Sequence, residues 1–177
     1  MSGLWDHYYT RDAEDGLPPY LEYLNRLGVF DTSHGERSLG EHLIKTHDMM
    51  ITWDCPSTWC LAGLYHSIYG TAYFTHETTT DRDGVREVIG QEAENIVYLF
   101  CKLQTPRIEN ILGYDFDENI KIALLSITAA NSLEQGGRSN IRRYFKTMPS
   151  LLAEKIIQTE KQQEYRRIDE LEALLEK

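Results

Sequence analysis

The 177-residue chain contains few of the features that mark extracellular, membrane-spanning or zinc-knuckle proteins. It has three cysteines, Cys55, Cys60 and Cys101, and an odd number in apolar surroundings argues against a disulfide framework. The spacing of Cys55 and Cys60 does not match a zinc knuckle, and no second pair follows. No apolar run reaches the roughly 18 residues of a membrane span. We therefore expect a cytoplasmic protein with reduced thiols and no membrane partner.

Basic residues are also scarce. Lysine and arginine number 18 against 28 acidic residues, which gives a formal net charge of -10. Nucleic acids and anionic membranes are bound by basic surfaces, so neither is an expected partner. The nearest approach to a basic patch is Arg138 with Arg142 and Arg143. A group of that size suits a small phosphorylated ligand, and Arg138 is its first candidate contact.

Sustained alternation of polar and apolar residues, which marks β-strands, is absent, and no internal repeat is visible. Apolar residues instead recur at steps of three and four, while residues 31–37 form a turn-rich loop. The predicted helices span residues 20–27, 39–53, 58–68, 92–103, 119–133 and 151–177, with helical turns near 85–89 and 108–112. These patterns predict an all-α, single-domain bundle of about seven or eight helices.

The predicted domain organisation has three parts. Residues 1–19 form an N-terminal arm, residues 20–150 form the helical domain, and residues 151–177 form a C-terminal helix. Leucines near the end of that helix, Leu171, Leu174 and Leu175, either fold back on the core or pair with a second copy of the chain.

Three polar positions interrupt otherwise apolar helices. Ser38 and Glu41 form a capping-box pattern, and the stripe that follows carries His42 toward the core. His47 falls off that stripe and is predicted to be solvated. The others are the His66-Ser67 pair, at the end of a helix that is apolar on nearly all sides, and Asn131.

Buried polar groups need partners, and a buried imidazole needs a hydrogen-bond partner or a metal. Antiparallel packing of the helices can bring His42, His66 and Asn131 to one site in the bundle core. We therefore expect these side chains, together with Ser67, to share one pocket.

The order of these features resembles the HD superfamily, in particular the guanosine tetraphosphate hydrolases of the RelA/SpoT type. The resembling segments are Gly40-Glu41-His42-Leu43, Ala62-Gly63-Leu64-Tyr65-His66-Ser67, Ile89-Gly90-Gln91-Glu92-Ala93-Glu94-Asn95-Ile96-Val97 and Thr128-Ala129-Ala130-Asn131-Ser132-Leu133. They lie within residues 20–135. The string His-Ser-Ile-Tyr-Gly-Thr is also similar to an uncharacterised HD-like group. The resemblance implies an HD-like bundle whose histidines and aspartates hold a divalent metal, typically manganese.

The departures from that pattern bear on the chemistry. Ser67 and Asn131 stand where the family has metal-binding aspartates, and Gly70 with Thr71 stands where it has the Glu-Asp pair that activates water. Two imidazoles, a hydroxyl and an amide hold a hard cation weakly, because carboxylates normally neutralise its charge. We therefore expect one divalent transition metal to bind weakly or not at all.

Two interpretations are open at this point. In the favoured one, the protein is a non-hydrolytic module that binds a small ligand, or a partner, through Tyr69, Asn131, Glu134 and Arg138. In the alternative, it is a metal-dependent, phosphohydrolase-like enzyme with altered chemistry. His42, His66 and Asn131 would then be the metal ligands, and His66, Ser67 and Thr71 the catalytic candidates.

Overall fold

The structure is a computed structural model and describes residues 17–137 and 147–175. Within these ranges it contains eight helices and one two-stranded antiparallel hairpin, which confirms the all-α, single-domain bundle. The helices are α1 (Pro19–Arg26), α2 (Leu39–Thr52), α3 (Ser57–Tyr65), α4 (Arg82–Ile89), α5 (Gln91–Lys102), α6 (Arg107–Gly113), α7 (Glu118–Glu134) and α8 (Ser150–Leu175). The hairpin consists of β1 (Ser33–His34) and β2 (Arg37–Ser38).

Helix α2 is held between α3 and α7. It begins at the predicted cap, where the Ser38 side chain accepts a hydrogen bond from the Glu41 amide at 3.2 Å. His42 is fully buried, as the apolar stripe predicts. The solvated position predicted for His47 is wrong: the residue is only 7% exposed, because α2 buries residues on more than one of its faces.

Helix α3 lies at the centre of the bundle and contacts α2, α5 and α7. Gly63 permits the close approach of α2, since a Cβ atom there would lie 2.5 Å from Sδ of Met50. The helix ends at Tyr65, three residues before the predicted end. His66 and Ser67 therefore belong to a turn, in which the amide of Ile68 donates to the Tyr65 carbonyl at 3.1 Å.

A buried ion-pair cluster fixes the segment that follows this turn. Glu94 on α5 is fully buried, and its carboxylate accepts hydrogen bonds from Arg82 at 2.6 and 2.9 Å and from Arg86 at 3.3 Å. Burial alone would raise the pKa of Glu94, but the two guanidinium groups more than offset this and hold the pKa below its ordinary value. The Tyr69 hydroxyl donates to the same carboxylate.

The turn-rich segment 31–37 contains the short hairpin, in which His34 is paired with Arg37. Each strand has only two residues, too few for an alternating pattern to be visible in the sequence. The hairpin packs against the start of α2.

The first turns of α8 pack on the core. Ile156 is fully buried, the Trp53 indole donates to Thr159 Oγ1 at 2.9 Å, and Lys155 pairs with Asp54. The predicted arm lies almost entirely outside the described residues. None of the described helices combines the length and the apolar character needed to cross a bilayer.

Candidate functional site

The predicted convergence of His42, His66 and Asn131 is observed. The Nε2 atoms of the two histidines lie 3.2 Å apart, and Asn131 Oδ1 lies 3.1 Å from His66 Nε2. The imidazole rings meet edge to face with centroids 5.0 Å apart. Since His42 and His66 are at most 1% exposed, this contact forms a buried polar floor, which we call the histidine pair.

The outer nitrogen of each ring, Nδ1, has its own hydrogen-bond partner. His66 Nδ1 is 2.8 Å from the Gly63 carbonyl, which can only accept, so Nδ1 carries the hydrogen. Burial, together with the charges of His42 and Arg107, lowers the pKa of His66 well below its ordinary value, so its Nε2 is a bare lone pair. His42 Nδ1 lies 2.5 Å from Glu134 Oε2 and donates to that carboxylate.

When His42 is neutral, with its hydrogen on Nδ1, the two Nε2 atoms face each other as acceptors; a second hydrogen, on Nε2 of His42, would be donated to His66. Asn131 Oδ1, which accepts a 3.4 Å hydrogen bond from Gln135 Nε2, is a third acceptor beside them. Two lone pairs 3.2 Å apart are stable only with a proton, a cation or an external donor between or beside them. The histidine pair is thus arranged to receive a positively polarised group.

Glu134 orients this site from the end of α7. Its side chain is 1% exposed, and Oε2 contacts both His42 Nδ1 and Arg37 Nη2 at 2.5 Å. The other oxygen, Oε1, is buried without a hydrogen-bond partner. Glu134 was predicted as a ligand contact; the structure places it at the site, but behind His42.

Sequence reasoning missed two residues of the hairpin. Arg37 forms the ion pair with Glu134, and the ring of His34 stacks on that of His42 with centroids 4.5 Å apart. The ring of Phe74 in turn packs edge-on against His34 at 4.8 Å. The turn-rich composition of residues 31–37 has no periodicity that would predict these contacts. The usable signal is the presence of an imidazole and a guanidinium, His34 and Arg37, just before the helix that carries His42.

A cavity of about 1180 Å³ opens above the histidine pair. Its walls come from the hairpin and α2, the segment after α3, the end of α5 with the start of α6, and the last turns of α7. Three aromatic side chains, Tyr73, Phe74 and Phe100, line one part of it. Arg107, which the sequence reading did not single out, lies on the same wall.

The other predicted residues are placed as follows. Ser67 is buried and lines the cavity. Thr71 also lines it, but its hydroxyl oxygen accepts hydrogen bonds from the amides of Tyr73 and Phe74 and so stabilises a turn. Tyr69 is not among the lining residues, because its hydroxyl is turned toward Glu94. Arg138 lies outside the described residues.

The donor set bears on whether a metal fits. Within residues 17–137 and 147–175, no three side chains of histidine, cysteine, aspartate or glutamate group as a metal site. The histidine pair offers two imidazole nitrogens and one amide oxygen, all neutral, while the carboxylate of Glu134 contacts the far nitrogen of His42. This set does not fit a hard cation such as Mn²⁺, which binds through anionic oxygens.

Comparison with models of protein families gives a match. A family model described as a domain of unknown function (DUF6817) matches residues 23–105, a little under half of the chain. The matched segment includes His42 and His66, whereas Asn131 and Glu134 lie beyond its end. No curated protein and no solved structure matches the chain. The family description gives no activity and no link to the HD superfamily, so any assignment of function must come from the site itself.

Proposed function

We propose that this protein is an HD-like helical domain that binds a small molecule in the cavity above the histidine pair and does not hydrolyse it. The observation that carries the proposal is the 3.2 Å contact between the two imidazole Nε2 atoms, in rings whose Nδ1 atoms are engaged by Glu134 and by the Gly63 carbonyl. Each ring is held by a second hydrogen bond, so neither can turn away to find another donor. A ligand that brings a hydroxyl or amine hydrogen to this point satisfies the acceptors.

The size and lining of the cavity support the same proposal. Small-molecule sites are clefts of about 300–1,000 Å³ with aromatic walls and a few fixed polar groups. The cavity here is about 1180 Å³, with Phe74 and Phe100 on its wall and Asn131 on its floor. It therefore holds a metabolite-sized ligand with room for water.

The absence of hydrolysis is proposed from the residues that replace carboxylates. Ser67, Gly70, Thr71 and Asn131 occupy the positions at which the resemblance to the HD superfamily implies acidic side chains. The remaining carboxylate of the floor, Glu134, is engaged by Arg37 and His42. Because Glu134 is engaged in this way, it is not available as the general base that water activation normally needs.

A metal-dependent hydrolase is the second candidate, and one observation favours it. The two Nε2 atoms face one point, and a carboxylate orients His42 from behind, as is common for metal-ligating histidines. His42, His66 and Asn131 would hold a divalent transition metal that tolerates imidazole, such as zinc. When bound, the metal would supply Lewis acidity; the residues of this chain would orient the substrate and exclude water.

The two candidates are separated by metal content and ligand response. Protein purified without added metal is analysed for its elements, tested for hydrolysis of p-nitrophenyl phosphate, and screened by thermal shift against hydroxylated and amine-bearing metabolites. We expect substoichiometric metal, no hydrolysis, and a stabilising compound whose effect is lost in Asn131→Ala. Asn119→Ala, an exposed position on the same helix, should retain the response.

Two results would overturn the proposal. Near-stoichiometric metal that is lost in His42→Ala, together with hydrolysis, would establish the enzyme instead. A screen in which no compound shifts the melting temperature, or in which Asn131→Ala responds like the wild type, would remove the ligand-binding role of the histidine pair.

A cytoplasmic location belongs to the same proposal, because all three cysteines are free thiols. Burial raises the pKa of Cys60 to about 11, and that of Cys55 and of Cys101 to about 12, so thiolates are scarce at neutral pH. Pairing of two chains through α8 stays a prediction; Tyr165 and Ile168, exposed by 66% and 45%, leave apolar surface there.

A further inference from the structure

Arg107, the first residue of α6, carries a buried charge on the cavity wall. The residue is only 8% exposed, although it lines a cavity open to solvent. Its guanidinium carbon lies 4.2 Å from the ring centre of Phe100 and 5.3 Å from that of Tyr73. Aromatic faces on two sides hold a cation in place without neutralising it.

No counter-charge accompanies this guanidinium in the part of the chain that the structure describes. Its Nε atom is buried without a hydrogen-bond partner, and no carboxylate there forms an ion pair with it. Burial lowers the pKa of Arg107, and the neighbouring groups that oppose this effect are Tyr73 and Cys101 rather than an acidic side chain. An arginine nevertheless remains charged at neutral pH.

Two other buried charges of the described residues have ion-pair partners within the chain. Glu94 is paired with Arg82 and Arg86, and Glu134 is paired with Arg37 and His42. Buried charges are normally paired because desolvation of a lone charge is costly. Arg107 therefore stands out as a cation whose partner must come from outside this part of the chain.

We infer that Arg107 is an oxyanion subsite, which binds the phosphate or carboxylate group of a ligand held in the cavity above the histidine pair. This inference rests on the proposed ligand-binding function and names the chemical class of the ligand. Arginine suits such a group because its planar donors match two oxygens at once. The rings of Phe100 and Tyr73 keep the guanidinium oriented, and Nε is a donor still to be satisfied.

The rest of the cavity defines the remainder of the ligand. His66 and Arg107 line the same space, and the charge of Arg107 acts on the His66 imidazole. One molecule can thus reach both groups. It carries an oxyanion at one end and a hydroxyl or amine hydrogen for the histidine pair at the other, as hydroxylated phosphates and hydroxy acids do.

The subsite is tested with simple anions at constant ionic strength. Melting temperatures are measured against inorganic phosphate and against malonate, with chloride as the reference salt, and affinities are taken from titration calorimetry. Binding to the folded state should raise the melting temperature by about 4 °C at ten times the dissociation constant. The phosphate and carboxylate arms show which oxyanion the site prefers.

Variants identify the residue responsible. Arg107→Met keeps a long apolar stem beside Phe100 but removes the charge, so we expect the anion response to be lost and the anion-free melting temperature to be at least that of the wild type. Arg107→Lys should retain a weaker response, by about tenfold in affinity, since it keeps the charge without the planar fork. Arg26→Met, which removes an exposed arginine on α1, should respond like the wild type.

The possible outcomes are distinguishable. If neither anion stabilises the wild type, or if Arg107→Met still responds, the oxyanion subsite is refuted. If the metabolite screen nevertheless finds a compound whose effect depends on Asn131, the proposed ligand-binding function survives that failure. If phosphate stabilisation is lost in Arg107→Met but unchanged in Asn131→Ala, the oxyanion subsite is supported, and it acts independently of the histidine pair.

Discussion

At the scale of single residues, Glu134 connects the hairpin to the histidine pair. Its Oε2 atom accepts from Arg37 and from His42, and these two partners come from segments more than 90 positions earlier in the chain. The carboxylate sets the tautomer of His42, because it accepts from Nδ1. The side chain thus positions the site rather than forming its surface.

Removing this carboxylate should destabilise the fold. In Glu134→Ala, the buried Nδ1 hydrogen of His42 and the guanidinium of Arg37 lose their acceptor, so we expect the free energy of unfolding to fall by about 1–3 kcal/mol. Glu134→Gln should cost less, since its amide oxygen still accepts from His42. Urea denaturation measures both. Glu87→Ala, at an exposed position on α4, should stay within about 0.5 kcal/mol of the wild type; equal losses in all three variants would contradict the role given to Glu134.

At the scale of the elements, the start of α2 is fixed by a close contact with the segment before the hairpin. The Gly40 amide donates to the Val29 carbonyl at 2.9 Å, and an added Cβ atom at Gly40 would lie 1.9 Å from Cδ1 of Phe30. A ring atom at that distance cannot be avoided by a small rotation. Because Gly40 has no side chain, the start of α2 can pack against Phe30, and this contact positions His42 two residues further on.

Gly40→Ala is expected to displace the Phe30 ring and to lower the free energy of unfolding by about 1–3 kcal/mol, because overpacking forces the neighbours out of their preferred positions. The matched control is Gly113→Ala at the end of α6, where an added Cβ atom meets nothing within 4 Å. That variant should be neutral or slightly stabilising. The melting temperatures of the two variants are compared under the same conditions. A Gly40→Ala protein as stable as Gly113→Ala would show that the fold tolerates a side chain at position 40.

The elements also show how much the sequence can predict. The long helices and the inward direction of His42 follow from apolar spacing, which is a local property of the chain. His66 and Asn131 were found because polar residues are conspicuous in apolar helices. His34, Arg37 and Arg107 lie in or beside turns, where no period marks a buried face, and Arg37 meets a partner 97 positions away. Such contacts depend on packing between distant segments. The same reason explains why Tyr69, which lies next to the site in sequence, is turned toward Glu94 instead.

At the scale of the whole molecule, stability depends on pH through groups whose protonation changes on folding. His66 has a pKa well below 6.5 in the folded protein, because burial and nearby positive charge oppose its protonation, whereas the unfolded chain titrates near 6.5. The unfolded state thus binds more protons below that pH, so stability is complete above about pH 6.5 and falls as the solution becomes more acidic. Glu94 adds to this loss below pH 4.5, since its pKa is lowered in the fold.

The contribution of His66 can be isolated by measuring the free energy of unfolding between pH 5 and pH 8. The wild type should lose up to about 1.4 kcal/mol more per pH unit below pH 6.5 than His66→Gln, which cannot take up the proton. His76→Gln, in the exposed loop after α3, is expected to follow the wild-type curve. Parallel curves for wild type and His66→Gln would contradict the buried, neutral state of this imidazole.

The composition of the cavity walls has a consequence for how the protein resists degradation. The walls come from four stretches, within residues 34–45, 66–74, 100–109 and 128–136. A ligand that contacts several of them connects remote parts of the chain, and its binding stabilises the folded state against local opening. Among the described residues, Tyr73 is the most exposed large hydrophobic side chain at 73%, and a protease such as chymotrypsin is expected to cut there. Slower cleavage after Tyr73 would then report occupancy of the cavity, even before the compound inside it is identified.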